Sequence, residues 1–117
     1  MKLDYGHGEV DALLSVFTLS IYEQEFKADL IQDLFGRAVL REERDEEDVI
    51  FAIDYRDTNW TALTRVLWAA LKAADDSMPS FKEWSKEVGS IDLNAAHRAI
   101  VPEAMRQFFR AGASDSE

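Results

Sequence analysis

The sequence predicts an α+β fold weighted toward α, with three to five helices packed on a small two- to three-stranded antiparallel sheet. Two patterns carry this expectation. Apolar residues recur every three or four positions from Tyr22 to Phe35 and from Trp60 to Ala74, the period of helices with one buried stripe. Val49 to Tyr55 instead alternates, with Val49, Phe51, Ile53 and Tyr55 on one face and Ile50, Ala52 and Asp54 on the other. Two or three such strands are too few for an independent β domain, so helices must cover them.

Residues 1–11 hold Gly6 and Gly8 and few apolar anchors, which predicts a flexible end. Leu13 to Leu19 is rich in Leu, Val, Phe and Thr and reads as a strand buried on both faces. Ser20-Ile21-Tyr22-Glu23 fits a capping box, so a helix is expected to start there. Its apolar stripe is Tyr22, Phe26, Leu30, Ile31, Leu34 and Phe35, opposite an acidic stripe of Glu25, Asp29 and Asp33. Gly36 would end it in the left-handed conformation that glycine adopts without steric penalty. Arg37 to Leu40 could add a short strand, and the charged run Glu42 to Asp48 is expected to be a solvated loop.

After the strand at Val49 to Tyr55, Asp57 or Thr58 can cap a helix running from about Asn59 to Ala74. Apolar residues cover most of its circumference, which makes it the expected central helix. Asp75, Asp76, Ser77 and Pro79 break it, and Ser80-Phe81-Lys82-Glu83 is a second capping box, opening a short helix through Trp84 and Val88 to Gly89. Pro102 suits a first helical turn, so Glu103 to Ala111 is expected to form a separate terminal helix; the alternative is one longer helix containing Pro102. Residues 112–117 read as a solvated tail.

Chain length and composition fit one domain spanning residues 1–117. A core of this size hides roughly two-thirds of the surface of the unfolded chain, and 47% of the 117 residues are hydrophobic. There are no cysteines, which excludes disulfides, thiolate metal sites and thiol nucleophiles and fits a reducing cytoplasm. Met1 to Val10 lacks the basic start and apolar block of a secretory signal, and no apolar run is long enough to span a bilayer. The formal charge of −10 argues against direct nucleic-acid binding and favours dispersal in solution or basic partners.

Reactive groups are sparse. His7 and His97 stand apart without metal-ligand spacing, and a helix histidine such as His97 is ordinarily a surface or half-buried residue rather than a general base. The serines show no nucleophile elbow, Gly6-His7-Gly8 is too short for a phosphate loop, and Glu42 to Asp48 lacks the alternation and turn glycine of a calcium loop. The expectation is therefore a non-catalytic chain with no cofactor and no metal. Trp60 and Trp84 are assigned to the core. Trp68, flanked by Arg65 and Lys72, could sit at the boundary and anchor a protein partner, and Met105, Phe108 and Phe109 offer a second apolar candidate.

Three stretches share a familiar order: Ile21-Tyr22-Glu23-Gln24-Glu25-Phe26 leading into Asp29-Leu30-Ile31-Gln32-Asp33-Leu34-Phe35-Gly36; Asn59-Trp60-Thr61-Ala62-Leu63 leading into Leu67-Trp68-Ala69-Ala70-Leu71-Lys72; and Ser80-Phe81-Lys82-Glu83-Trp84. In a short, acidic, cysteine-free chain this order resembles the tail assembly chaperones of long-tailed bacteriophages and prophages of Gram-positive hosts, over roughly residues 12–90. The resemblance implies a protein of the bacterial host cytoplasm. It would bind the tape measure protein, a long apolar helical polymer, and keep it soluble while tail tube subunits are recruited, with self-association also open. It further implies a frameshifted longer product, whose junction a polar tail such as Ala113 to Glu117 would suit. No catalytic residue comes with it. Competing readings are an acidic DNA-mimic inhibitor of the anti-restriction or anti-CRISPR type, a structural tail or connector subunit, and a small enzyme. Mimicry predicts partner affinity that collapses with salt, whereas apolar capture does not.

Overall fold

A computed structural model describes residues 1–36, 39–45, 48–54 and 59–109, with side chains described for 1–36 and 59–109. The chain is α+β and mostly α: among the described residues, five helices accompany two separate two-stranded antiparallel sheets.

The first hairpin joins β1 (Lys2–Asp4) to β2 (Glu9–Asp11), with Leu3 opposite Val10. Asp4 shapes its turn. The carboxylate accepts from the amides of Gly6 (2.8 Å) and Gly8 (3.2 Å), and both glycines hold positive φ, at 112° and 96°. The expected flexible end is thus a docked element. Leu3 and Tyr5 are buried, the Met1 ammonium donates to the Ala12 carbonyl (2.8 Å), and the Asp92 amide donates to the Tyr5 carbonyl (2.8 Å).

Leu13 to Leu19 is not a strand. α1 (Val16–Phe26) starts inside it, because Ser15 and Thr18 form a capping box five residues before the expected one. The Ser15 hydroxyl accepts from the Phe17 amide (3.2 Å), while the Thr18 hydroxyl accepts from the Ser15 amide (3.0 Å) and donates to the Leu13 carbonyl (2.6 Å). Thr18 is fully buried and fully satisfied. Nor does the helix run to Gly36. It stops at Lys27, which takes the left-handed conformation (φ 53°), and α2 (Leu30–Phe35) restarts on an Asp29 cap whose carboxylate accepts from Ile31 (2.8 Å) and Gln32 (3.1 Å). Gly36 does end α2, yet with φ −63°, so the left-handed residue of this region is Lys27.

β3 (Val39–Asp45) and β4 (Asp48–Asp54) pair antiparallel from Val39 opposite Asp54 to Asp45 opposite Asp48. The charged run is therefore strand over Glu42–Asp45 and at Asp48, where a loop was expected; residues 46–47 lie outside the described residues. Tyr55 and the caps expected at Asp57 and Thr58 also lie outside them.

α3 (Trp60–Ala74) is capped by Asn59, whose side chain accepts from the Ala62 amide (3.0 Å). It touches α1, α2, β2, α4 (Phe81–Glu87) and α5 (Leu93–Phe108), which is the central position expected for it. Ser80 caps α4 and Asp92 caps α5, each side chain accepting from a first-turn amide. α5 runs unbroken through Pro102, so the single longer helix holds and the separate terminal helix does not. Pro102 is exposed, and Ala96, Ile100, Val101 and Ala104 form the buried stripe.

Candidate functional site

Of the residues expected to bind a partner, Trp68 turns inward. Trp68 is 2% exposed, its indole N–H donates to the Pro79 carbonyl (3.0 Å), and its ring meets Phe26 and Phe81 edge-on at 5.7 and 6.1 Å. It is a core residue and not a boundary anchor. Arg65 lies 5.1 Å over the Phe26 ring. Its charge acts on Tyr22, whose hydroxyl donates to Asp33 (2.7 Å) and whose proton affinity is raised chiefly by burial. The Lys72 ammonium donates to the carbonyls of Asp76 (2.9 Å) and Met78 (2.8 Å), closing the turn after α3. Arg65 and Lys72 thus brace the fold.

At the C-terminal candidate, Met105 and Phe108 are half-buried, and Phe109 is 51% exposed with its ring 5.4 Å from that of Phe35. Trp84 is buried as expected. Trp60 is not: it is 42% exposed and lies beside His97, ring centroids 5.6 Å apart. Burial lowers the His97 pKa, with a smaller contribution from the Arg98 charge. His7 donates from Nε2 to the Ser90 carbonyl (2.7 Å), a link from the first hairpin to the α4–α5 connection.

The surface that sequence reasoning missed is at the start of α1. Val16 is 77% and Phe17 56% exposed, with Leu13 partly exposed just before them. From Val16 an open hollow of roughly 590 Å³ follows the helix to the elbow with α2, lined by Leu19, Glu23 and Lys27 on one side and by Ala28, Leu30 and Ile31 on the other. The elbow makes this hollow. Lys27 turns the chain, its ammonium donates to the Gln24 carbonyl (3.0 Å), and Tyr22 bonded to Asp33 holds the two helices at their angle. Asp29, also on the lining, is tied up as the α2 cap.

The chain matches no protein-family model, no curated protein and no solved structure.

Among the described residues, no group of three or more His, Asp or Glu side chains is placed to hold a metal ion, and no helix is long and apolar enough to cross a membrane. A second hollow, of roughly 410 Å³, lies between the first hairpin and the end of α3, lined by Tyr5, Val10, Asp11, Leu71, Ala74, Asp75 and Met78. What the elbow offers is apolar surface with carboxylates beside it, an arrangement suited to holding a side-chain stripe of another helix. The Ser15–Thr18 box was the signal that could have found it. Placing the helix start there puts Val16 and Phe17 in a first turn, where the inward and outward faces differ.

Proposed function

We propose that this chain is a non-catalytic holding chaperone that captures an apolar helical segment of another protein, the role its resemblance to phage tail assembly chaperones implies. On this reading the partner is the tape measure protein, with the tail tube protein as a second contact, and the setting is the bacterial host cytoplasm. One observation carries the proposal: Val16 and Phe17 stand in solvent beside an apolar hollow, on a chain of charge −10. Exposed apolar surface of this kind marks interaction sites, and a strong like charge keeps loaded complexes apart.

Co-expression with a tape measure protein tests it. The expected result is that the tape measure protein moves from the insoluble to the soluble fraction and copurifies with this chain, and that the complex survives raised salt. A tape measure protein left insoluble would refute the chaperone role. Loss of the complex in moderate salt would favour nucleic-acid mimicry, and finding the chain in finished virions would favour a structural subunit.

A further inference from the structure

We infer that the hollow at the α1–α2 elbow takes a basic amphipathic helix, its apolar stripe lying along α1 and its lysines or arginines meeting the acidic rim. This rests on the capture reading above and adds where the partner sits and what charge it carries.

Shape sets the first part. Val16, Leu19 and Glu23 fall on one face of α1 at spacings of three and four, and Ala28 and Ile31 face them across the elbow. Eleven residues of α1 extend about 16 Å, so the floor matches three turns of a partner helix with apolar residues at i, i+3 or i+4, and i+7.

Charge sets the second part. The lining of the hollow carries Glu23 and Asp29 against Lys27, on a chain of charge −10. The Lys27 ammonium is engaged with the Gln24 carbonyl at the end of α1. A cationic flank gains from this rim and an anionic one is repelled. The same argument disfavours a second copy as occupant. A two-fold contact would set this rim against itself.

The test uses the full chain and two fluorescently labelled peptides of about fifteen residues, long enough to cover α1. They share one leucine stripe, and one is flanked by lysine, the other by glutamate. Anisotropy is expected to show tighter binding of the lysine peptide than of the glutamate peptide, the difference narrowing in raised salt while the apolar contact holds both complexes. Val16→Asp should weaken binding of the lysine peptide about tenfold or more, by removing apolar contact. That variant also makes the chain more negative, so general attraction to an acidic protein predicts the opposite, equal or tighter binding, and either result overturns the inference. Aspartate in a first helical turn is favourable, so the variant is expected to fold, as circular dichroism would verify. Val16→Thr, of the same shape, should show a smaller loss.

Glu23→Lys should narrow the preference between the two peptides. Equal binding of both by the unmodified chain overturns the charge assignment. A dimer in sedimentation that Val16→Asp dissolves overturns the choice of occupant. The co-expression assay repeated with Val16→Asp separates the two proposals: a tape measure protein still kept soluble leaves capture standing and removes it from this hollow.

Discussion

Helices α3 and α1 are both apolar, and they place that surface in opposite ways. α3 buries an unbroken run from Val66 to Leu71, whereas α1 buries Thr18 and Tyr22 and leaves Val16 and Phe17 in solvent. Neighbours account for the difference. α3 is surrounded by four helices and β2, while α1 is held by α3 and α2 with its first turn reaching past them. Apolar content therefore measures how much surface a segment can hide, and the partners available decide how much it does hide.

The sharpest way to break this comparison is to truncate two tryptophans of the same helix. Trp68→Ala removes a buried ring and the hydrogen bond to Pro79, and is expected to cost about 3–5 kcal/mol in urea unfolding. Trp60→Ala, at the exposed start of α3, is expected to cost less than about 1 kcal/mol. Similar losses at both positions would mean that the buried and exposed ends of α3 do not differ as described.

These two tryptophans also mark how far the sequence could be read. The α+β class, the central helix, the α4 cap at Ser80 and the second hairpin's β4 strand were legible because each rests on a local pattern of period or cap. Among the tryptophans, Trp84 is buried as the sequence predicts, whereas Trp60, assigned to the core, is exposed, and Trp68, which could sit at the boundary, is buried. Periodicity identifies a stripe, but on a helix apolar nearly all round it does not say which part meets a neighbour. The start of α1 failed for a related reason. Leu13 to Leu19 satisfies both a buried strand and a helix entry, and Ser15 and Ser20, five residues apart, each head a box, with Thr18 and with Glu23. Burial of Thr18, with its hydroxyl bonded on both sides, decides for Ser15. The hollow at the elbow was missed along with that cap.

The elbow supplies the next test. Lys27 holds a conformation that disfavours any side chain with a Cβ, and nothing about a lysine prefers it. Lys27→Gly is expected to stabilise the chain by about 0.5–1 kcal/mol, since relief of the left-handed strain outweighs the added freedom of the unfolded state and the loss of an exposed bond to Gln24. A loss of stability in the same unfolding assay would show that the Lys27 side chain itself holds the elbow.

Val16→Asp should be smaller still. At the most exposed of these apolar positions it is expected to change stability by no more than about 0.5 kcal/mol, while acting strongly on peptide binding. A large destabilisation would return Val16 to the core and erase the contrast with α3.

The smallest effect concerns His97, which joins the exposed end of α3 to α5 through Trp60. Burial holds its folded-state pKa below the ordinary value of 6.5. As pH falls below 6.5 the unfolded chain therefore takes up a proton before the folded one, and stability declines until the folded pKa is passed, then levels off with respect to this group. Above 6.5 His97 is neutral in both states and contributes no slope. Asp75 and Glu103, whose carboxyl pKa values are lowered, Asp75 chiefly by the Ser77 hydroxyl and Glu103 chiefly by Arg106, act in a separate and more acidic window, losing their contribution as pH falls through the carboxylate range. His97→Gln should accordingly flatten the stability profile just below pH 6.5 and leave the acid limb unchanged. Urea midpoints measured on both sides of that value would show it, and parallel profiles for the variant and the unmodified chain would assign the whole decline to the carboxylates.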